Sequence, residues 1–331
     1  MAYTKEDLFQ FVEAGLTSSL KEASNAIGAD ANEILTMLFL IEGDWSRCGN
    51  AEEAQNTLEA RKKVLPPETY SDQSGRAKMM AQKIFEWANA NGYEGRVVKA
   101  YWTARPNVLS KAVGQPVDSR KNPTDILLVF RDGRFLGISA KSTKKVSGGI
   151  GFKNAGLGTL SKTLNINLPD QITQMEKEAS EKLHVKGTML SDVGKAIRKQ
   201  LIRSNHEVQL QANQFGARIL NVIRDTILER YKTMSQEELR NHFTSVWMNA
   251  DNVFPPWIKC TGHGSNGKYS ASIEEPNKND TIELLNSGEL RVSPTGNATL
   301  VISGNGKKLF LIRAKWESQA LASALKFSAE P

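Results

Sequence analysis

Residues 122–142 read NPTDILLVFRDGRFLGISAKS, and this stretch decides the fold of the chain around it. The apolar runs at 126–130 and 135–141 are typical of two β-strands, because branched aliphatic and aromatic residues favour extended backbone. Asp132-Gly133, between the two runs, is a strong signal for a hairpin turn. The stretch therefore predicts two antiparallel strands joined by a short loop.

The length of that loop sets which side chains share a face of the sheet. A two-residue loop would place Asp125 opposite Ala140, on the other face from Lys141. A three-residue loop over 131–133 places Asp125 opposite Ser139 and beside Lys141, because alternate residues of a strand point the same way. We predict the three-residue register, or a β-bulge that gives the same facing, since either brings the acid and the lysine together.

An acid at the start of one strand and a lysine at the end of the next are typical of sites that hydrolyse phosphodiesters. Pro123-Thr124-Asp125, followed by Ser139-Ala140-Lys141, resembles the PD-(D/E)xK nuclease superfamily, in which Pro-Asp opens one strand and Asp/Glu-x-Lys ends the next. The chain departs from that pattern at Thr124, which separates Pro from Asp, and at Ser139, which stands in place of a carboxylate. The resemblance covers about 20 residues directly.

The resemblance implies a Mg²⁺-dependent endonuclease acting on DNA, with Mn²⁺ as an alternative metal. Asp125 and a backbone carbonyl near Ala140 would hold the metal, which activates a water molecule for attack on phosphorus. Lys141 would orient that water and stabilise the negative phosphate oxygens. Ser139 would hydrogen-bond the water rather than bind the metal.

A second carboxylate is needed because a serine hydroxyl is a weaker ligand for a hard cation than an ionised acid. The candidate is Glu86, as a catalytic residue and metal ligand, on a helix predicted for 73–90. Its helical phase lies off the apolar face of that helix. Asp118 is the weaker alternative.

The charge of the chain is unevenly distributed. It has 43 Lys and Arg against 36 Asp and Glu, a net charge of +7, of which residues 1–66 contribute −5 and residues 67–331 contribute +12. Residues 95–165 hold 13 basic residues and three acids. Such a stretch attracts phosphate backbones, although a solvated lysine-rich surface gives the same pattern. The candidate nucleic-acid-binding residues are Lys144, Lys145, Lys153, Lys162, Arg198, Lys199 and Arg203.

The pattern of predicted helices and strands indicates an α/β protein. We expect a restriction-endonuclease-like core over 67–250, with a mixed central sheet flanked by helices. A helical unit is predicted for 1–66 and a β-rich unit for 251–331, which either extends the core sheet or forms a small barrel. These boundaries rest on Pro66-Pro67 and on a change from helical to strand patterns near 251.

The N-terminal helical unit has the pattern of a helix-turn-helix. Two short helices within 4–42 are predicted to meet at Gly28, with Asp30 capping the second helix and Glu33 completing a capping box. The negative charge of the segment disfavours contact with phosphates. A small helical bundle used for packing or for contact with a protein is the alternative.

Other features exclude some classes of protein. No run of about 18 apolar residues is present, and Cys48 and Cys260 are too few for a disulfide framework or a zinc site. We therefore expect a cytoplasmic protein without a membrane span. The glycines at 147–159 lack the Lys-Ser/Thr ending of a phosphate loop, so no nucleotide cofactor is expected. The alternatives to a nuclease are a catalytically inactive DNA-binding protein of the same fold and a protein-interaction or assembly factor. A homodimer is possible in each case.

Overall fold

The structure, a computed structural model, describes residues 27–93, 95–118, 121–145, 154–248, 253–275 and 280–330. The helices are α1 (27–40), α2 (Ala51–Val64), α3 (Pro67–Ala90), α4 (Val108–Val113), α5 (Leu157–Leu164), α6 (Leu168–Glu181), α7 (Lys195–Ser204), α8 (His206–Lys232), α9 (Gln236–His242) and α10 (Asp280–Ser287). The strands are β1 (Val97–Trp102), β2 (Ile126–Phe130), β3 (Phe135–Thr143), β4 (His184–Val185), β5 (Thr188–Met189), β6 (Trp257–Ser265), β7 (Lys268–Glu274), β8 (Leu290–Thr295), β9 (Thr299–Gly304), β10 (Lys307–Trp316) and β11 (Leu325–Glu330). The protein is therefore mixed α/β, as predicted.

The chain forms two compact units, each built from separate parts of the sequence. The described residues of the first unit lie within 27–145 and 253–275, and those of the second lie within 154–248 and 280–330. The segment 154–248 is thus inserted between two parts of the first unit. Within the described ranges, no helix is long and apolar enough to cross a membrane.

A five-stranded mixed sheet is the centre of the first unit. Its strand order is β1-β2-β3-β6-β7. All neighbouring strands are antiparallel except β3 and β6, which are parallel. A parallel pair requires a long crossover, and here the crossover contains the inserted segment of the second unit.

Helices α1 and α3 form one hydrophobic core with this sheet. Ile34 and Met37 of α1 and Met80 of α3 are fully buried together with Ile138 and Cys260 of the sheet. The predicted boundary at residue 66 therefore does not separate two units. The Pro66-Pro67 pair instead starts α3, where the missing N–H of a proline costs no hydrogen bond.

The predicted turn at Gly28 is wrong, because Gly28 and Asp30 both lie inside α1. A Cβ atom at Gly28 would lie 2.9 Å from Nε2 of Gln73, so the glycine allows close approach of α3. The apolar face of α1 is buried in the core. The helix therefore has the packing role given above as the alternative, and not that of an exposed recognition helix. The first helix of the predicted pair lies outside the described residues.

The second unit combines helices α5–α10 with a four-stranded antiparallel sheet in the order β11-β10-β9-β8. Helices α7 and α8 are separated at Asn205, whose side chain accepts a hydrogen bond from the Val208 N–H and so caps α8. The predicted C-terminal unit at 251–331 is divided between the two units. Strands β6 and β7 extend the first sheet, and β8–β11 form the second.

Candidate active site

The β2–β3 hairpin has the predicted three-residue register. Val129 pairs with Phe135, and Gly133 has a left-handed φ of 81°. The Asp125 N–H donates to the Ile138 carbonyl at 2.9 Å. The ladder keeps this register from Val129 to Ile126, and Asp125 lies directly beyond its end, so the predicted register is confirmed.

The Asp125 carboxylate is held by groups from the end of β3. Its Oδ2 accepts hydrogen bonds from the Ala140 N–H at 2.8 Å and from Lys141 Nζ at 3.0 Å. The Ser139 hydroxyl is farther away, at 3.5 Å. Lys141 Nζ also donates to the Ala140 carbonyl at 3.0 Å, so one ammonium group contacts both predicted oxygen donors.

Burial and charge act on Asp125 in opposite directions. Burial raises its pKa above the ordinary value, whereas the Lys141 charge and the hydrogen bonds from Lys141, Ala140 and Ser139 lower it, and the net shift is upward. The Asp125 side chain is only 21% exposed, and that of Lys141 is 39% exposed. Asp125 is therefore a shielded acid next to an accessible cation.

The structure adds a second carboxylate, Glu33, which the sequence interpretation assigned to a helix cap. Glu33 is 8% exposed on α1, and its Oε2 accepts a hydrogen bond from Trp102 Nε1 at 2.9 Å. Trp102 ends β1 and pairs with Ile126, the residue after Asp125. Helix α1 therefore brings Glu33 to the strand ends where Asp125 and Lys141 meet.

Glu33 and Asp125 interact electrostatically. Burial, together with the negative charge of Asp125, raises the pKa of Glu33 to about 8. The Trp102 hydrogen bond and the positive charge of Lys141 act in the opposite direction. Two acids whose charges oppose each other in a shielded place are typical of functional sites rather than of structural ion pairs.

A buried hydrogen-bond network supports both elements of the site. Asn32, next to Glu33, donates to the Gln73 carbonyl at 3.1 Å. Ser142, next to Lys141, donates to Gln73 Oε1 at 2.8 Å and accepts from Arg76 Nε at 2.7 Å. Helix α3 thereby fixes α1 and the end of β3 relative to each other.

The predicted second carboxylate, Glu86, is not part of this site. Its side chain is 65% exposed and pairs with Lys83 on the same helix at 2.9 Å. Helix α3 packs through its other face, which includes Ala81, Ile84 and Ala88. The physical reason for the error is the helical phase, which turns Glu86 toward solvent. Asp118 is also exposed.

The predicted nucleic-acid-binding residues are divided between the two units. Lys144 and Lys145 are exposed directly after β3 in the first unit, whereas Lys162, Lys199 and Arg203 belong to the second unit. Lys153 lies outside the described residues. Arg198 has a structural role, because its guanidinium donates to the carbonyls of Leu190, Val193 and Leu321 at 2.9–3.3 Å.

The oxygen donors of the site fit a hard divalent cation. Mg²⁺ is commonly held by one or two carboxylates together with substrate phosphates rather than by a complete protein cage. Glu33, Asp125 and the Ala140 carbonyl provide such a partial set. No group of three Asp, Glu, His or Cys side chains suited to a metal ion occurs in the part of the chain that the structure describes.

The chain was also compared with known proteins. No protein-family model and no curated protein matches its sequence.

Proposed function

We propose that the first unit is a metal-dependent nuclease that hydrolyses phosphodiester bonds in DNA. The observation that carries this proposal is the meeting of Glu33, Asp125 and Lys141 at one end of the sheet. These groups suit phosphodiester hydrolysis. The two shielded acids would bind a cation, and the accessible ammonium group would face the phosphate.

Glu33, Asp125 and the Ala140 carbonyl would hold Mg²⁺, with Mn²⁺ as an alternative. When bound, the metal supplies Lewis acidity toward the phosphate and a lower pKa for an attacking water. The raised pKa of Glu33 means that this side chain carries a proton near neutral pH before a cation binds. As a metal ligand, Glu33 would have to lose that proton, because carboxylate ligands must be ionised.

Lys141 has two roles in the proposed reaction. Its ammonium group holds the Asp125 carboxylate in place through the 3.0 Å hydrogen bond. Because the side chain is partly exposed, its remaining donors face the place where a phosphate would enter. A positive point charge there stabilises the additional negative charge of the transition state. Ser139 would orient water.

The charge distribution favours nucleic acid as the substrate. In the sequence, the 13 basic residues of 95–165 lie within and on both sides of the hairpin that carries Asp125 and Lys141. Their potential would offset the repulsion between a polyanion and the two acids of the site, and would increase the rate of encounter.

A cleavage assay tests the proposal. Supercoiled plasmid and a large linear genomic DNA are incubated with the full chain in Mg²⁺, in Mn²⁺ and in EDTA, so that short recognition sequences are represented. We expect cleavage with either metal and none in EDTA. Glu33→Gln, Asp125→Asn and Lys141→Ala should each reduce the rate at least about 100-fold, as expected for loss of a ligand or of a transition-state contact.

Glu86→Gln is the matched control for Glu33→Gln, because it neutralises an exposed acid on a neighbouring helix. It should cleave at the wild-type rate. Cleavage that survives both Asp125→Asn and Lys141→Ala would place the chemistry elsewhere. DNA binding without cleavage by the wild-type protein in both metals would favour the alternative of an inactive DNA-binding protein.

A further inference from the structure

Arg105 lies at the edge of the candidate site, on the chain that leaves β1. Its guanidinium carbon stacks over the Trp102 ring, 4.3 Å from the ring centroid. The indole N–H of the same tryptophan donates to Glu33. Arg105 and Glu33 therefore contact the same aromatic ring. The guanidinium packs on the face of the ring, and the carboxylate accepts a hydrogen bond at its edge.

The acidic partners of Arg105 hold it weakly. Its Nε lies 3.5 Å from Glu53 Oε1, and its Nη2 lies 3.9 Å from Asp30 Oδ2. Asp30 makes closer contacts with Arg61, at 2.8 and 3.0 Å. The Arg105 side chain is 33% exposed. Its position is thus fixed more by the ring than by charge pairing, and the side chain is partly exposed beside the site.

An arginine stacked on an aromatic ring is suited to bind a phosphate. The ring holds the guanidinium plane in one orientation, which reduces the entropy lost when a ligand binds. The outer N–H groups then present the fork that matches two phosphate oxygens. Long ion pairs at a partly exposed position stabilise the fold little, so exchanging them for a phosphate costs little.

We infer that Arg105 binds a second phosphate of the DNA strand, next to the phosphodiester that faces Lys141. This inference rests on the proposed function for the identity of the ligand, but it concerns binding and not cleavage. The strand would then contact the protein at two points. One is Lys141, on one side of the two acids, and the other is Arg105, on the opposite side. Two contacts fix the direction of the strand across the acids, whereas a single contact leaves it free to rotate.

Salt-dependent DNA binding tests the inference. A fluorescein-labelled duplex of about 30 base pairs is titrated with the full chain carrying Asp125→Asn, which prevents cleavage, at several salt concentrations. The parent protein is compared with versions that also carry Arg105→Ala or Arg105→Lys. Loss of one phosphate contact should lower the slope of log K against log salt by about 0.9 and weaken binding about three- to tenfold at low salt. Arg105→Lys should keep the slope, since it keeps the charge.

Two controls make the result specific. Arg131→Ala removes an exposed arginine at the β2–β3 turn, at the opposite end of β2 from Asp125, and should leave the slope unchanged. Glu53→Gln, which removes an acidic partner of Arg105, should tighten binding, and this gain should disappear when Arg105→Ala is also present. Melting temperatures of all versions verify folding.

An unchanged slope in Arg105→Ala, an equal decrease in Arg131→Ala, or no DNA binding by the parent protein would each overturn the inference. Failure of the proposed function has a different signature. In that case the wild-type protein does not cleave DNA, while the effect of Arg105→Ala on binding persists.

Discussion

Glu33→Gln should stabilise the metal-free protein at alkaline pH while removing its activity. Glutamine has nearly the same shape as glutamate and retains an oxygen that can accept the Trp102 N–H, but it does not ionise. The substitution thus removes only the charge of the buried acid. Because a buried charge opposes folding, the effect on stability and the effect on function should have opposite signs.

The magnitude follows from the pKa of Glu33. The ordinary value of 4.5 applies to the unfolded chain, and burial beside Asp125 raises the value in the folded protein to about 8. The folded state therefore binds more protons than the unfolded state between these values, so stability is fully present below about pH 4.5 and is lost as the pH rises through about 8. At about 1.4 kcal/mol per pKa unit, the loss between pH 5 and pH 8 is about 3–4 kcal/mol.

Hydrogen exchange in urea, followed by mass spectrometry on peptides from α1 and β2, measures the free energy of unfolding of the first unit. In EDTA, the wild-type protein should lose about 3–4 kcal/mol more than Glu33→Gln between pH 5 and pH 8. Mg²⁺ at pH 8 should restore part of this stability in the wild type and less in the variant. Glu86→Gln, the exposed control, should behave as wild type.

An equal pH dependence in wild type and Glu33→Gln would refute the raised pKa of the Glu33 carboxyl that burial and the Asp125 charge produce. A larger effect of Mg²⁺ on Glu33→Gln than on the wild type would exclude Glu33 as a ligand. Both measurements are made without DNA. They therefore test the position and the charge of Glu33 independently of whether the protein cleaves DNA.

The other predictions concern packing and reactivity. Gly75→Ala should destabilise the first unit by about 1–3 kcal/mol, because a Cβ there would lie 2.2 Å from the Tyr269 ring. Gly158→Ala in α5, where the space is open, should be neutral or should stabilise the protein by up to about 1 kcal/mol. Urea denaturation measures both, and equal effects would contradict the packing argument. Cys260 should resist iodoacetamide in the folded protein, because burial raises the pKa of its thiol to about 12; rapid labelling detected by mass spectrometry would contradict this. Tyr231→Phe should cost about 1–3 kcal/mol, because its buried hydroxyl bonds a histidine ring nitrogen and accepts from a tryptophan N–H; an unchanged melting temperature would show that water replaces the hydroxyl.

The hairpin and its site residues were predictable because the information is local. The Asp132-Gly133 signal, the alternation along 135–141 and the requirement that Asp125 face Lys141 together select one register. All of these lie within residues 122–142, roughly the length of one hairpin. The observed ladder agrees with this prediction at each pair from Ile126 to Val129.

Glu33 was not predicted because its role depends on tertiary packing. The residues around it suggest a helix cap, whereas α1 in fact continues through Gly28. No local pattern indicates that this helix ends up beside Asp125. One signal was available: Asn32 and Glu33 lie between the apolar Ala31 and Ile34, and a polar pair inside an apolar run is worth examining when the helix is buried.

The division into units was not predictable for a related reason. Periodicity identifies strands, but it does not say which sheet a strand joins. β6 pairs with β3 across the whole inserted segment, whereas β8, the next strand after β7, belongs to the other unit. The predicted boundary near 251 does coincide with a change of unit, but the chain there returns to the first unit and does not begin a third one.

The interleaved order of the chain also sets when the site is complete. Arg76 bonds the carbonyl of Gly264, which is 188 positions later, and β3 has no parallel neighbour until β6 has been made. At about 5–20 residues per second, synthesis of the intervening chain takes on the order of 10–40 s. Until β6 has been synthesised, Lys141 lies on a strand with an open edge. The candidate site is therefore complete only after that point, and slow pairing of distant segments is expected to limit the folding rate.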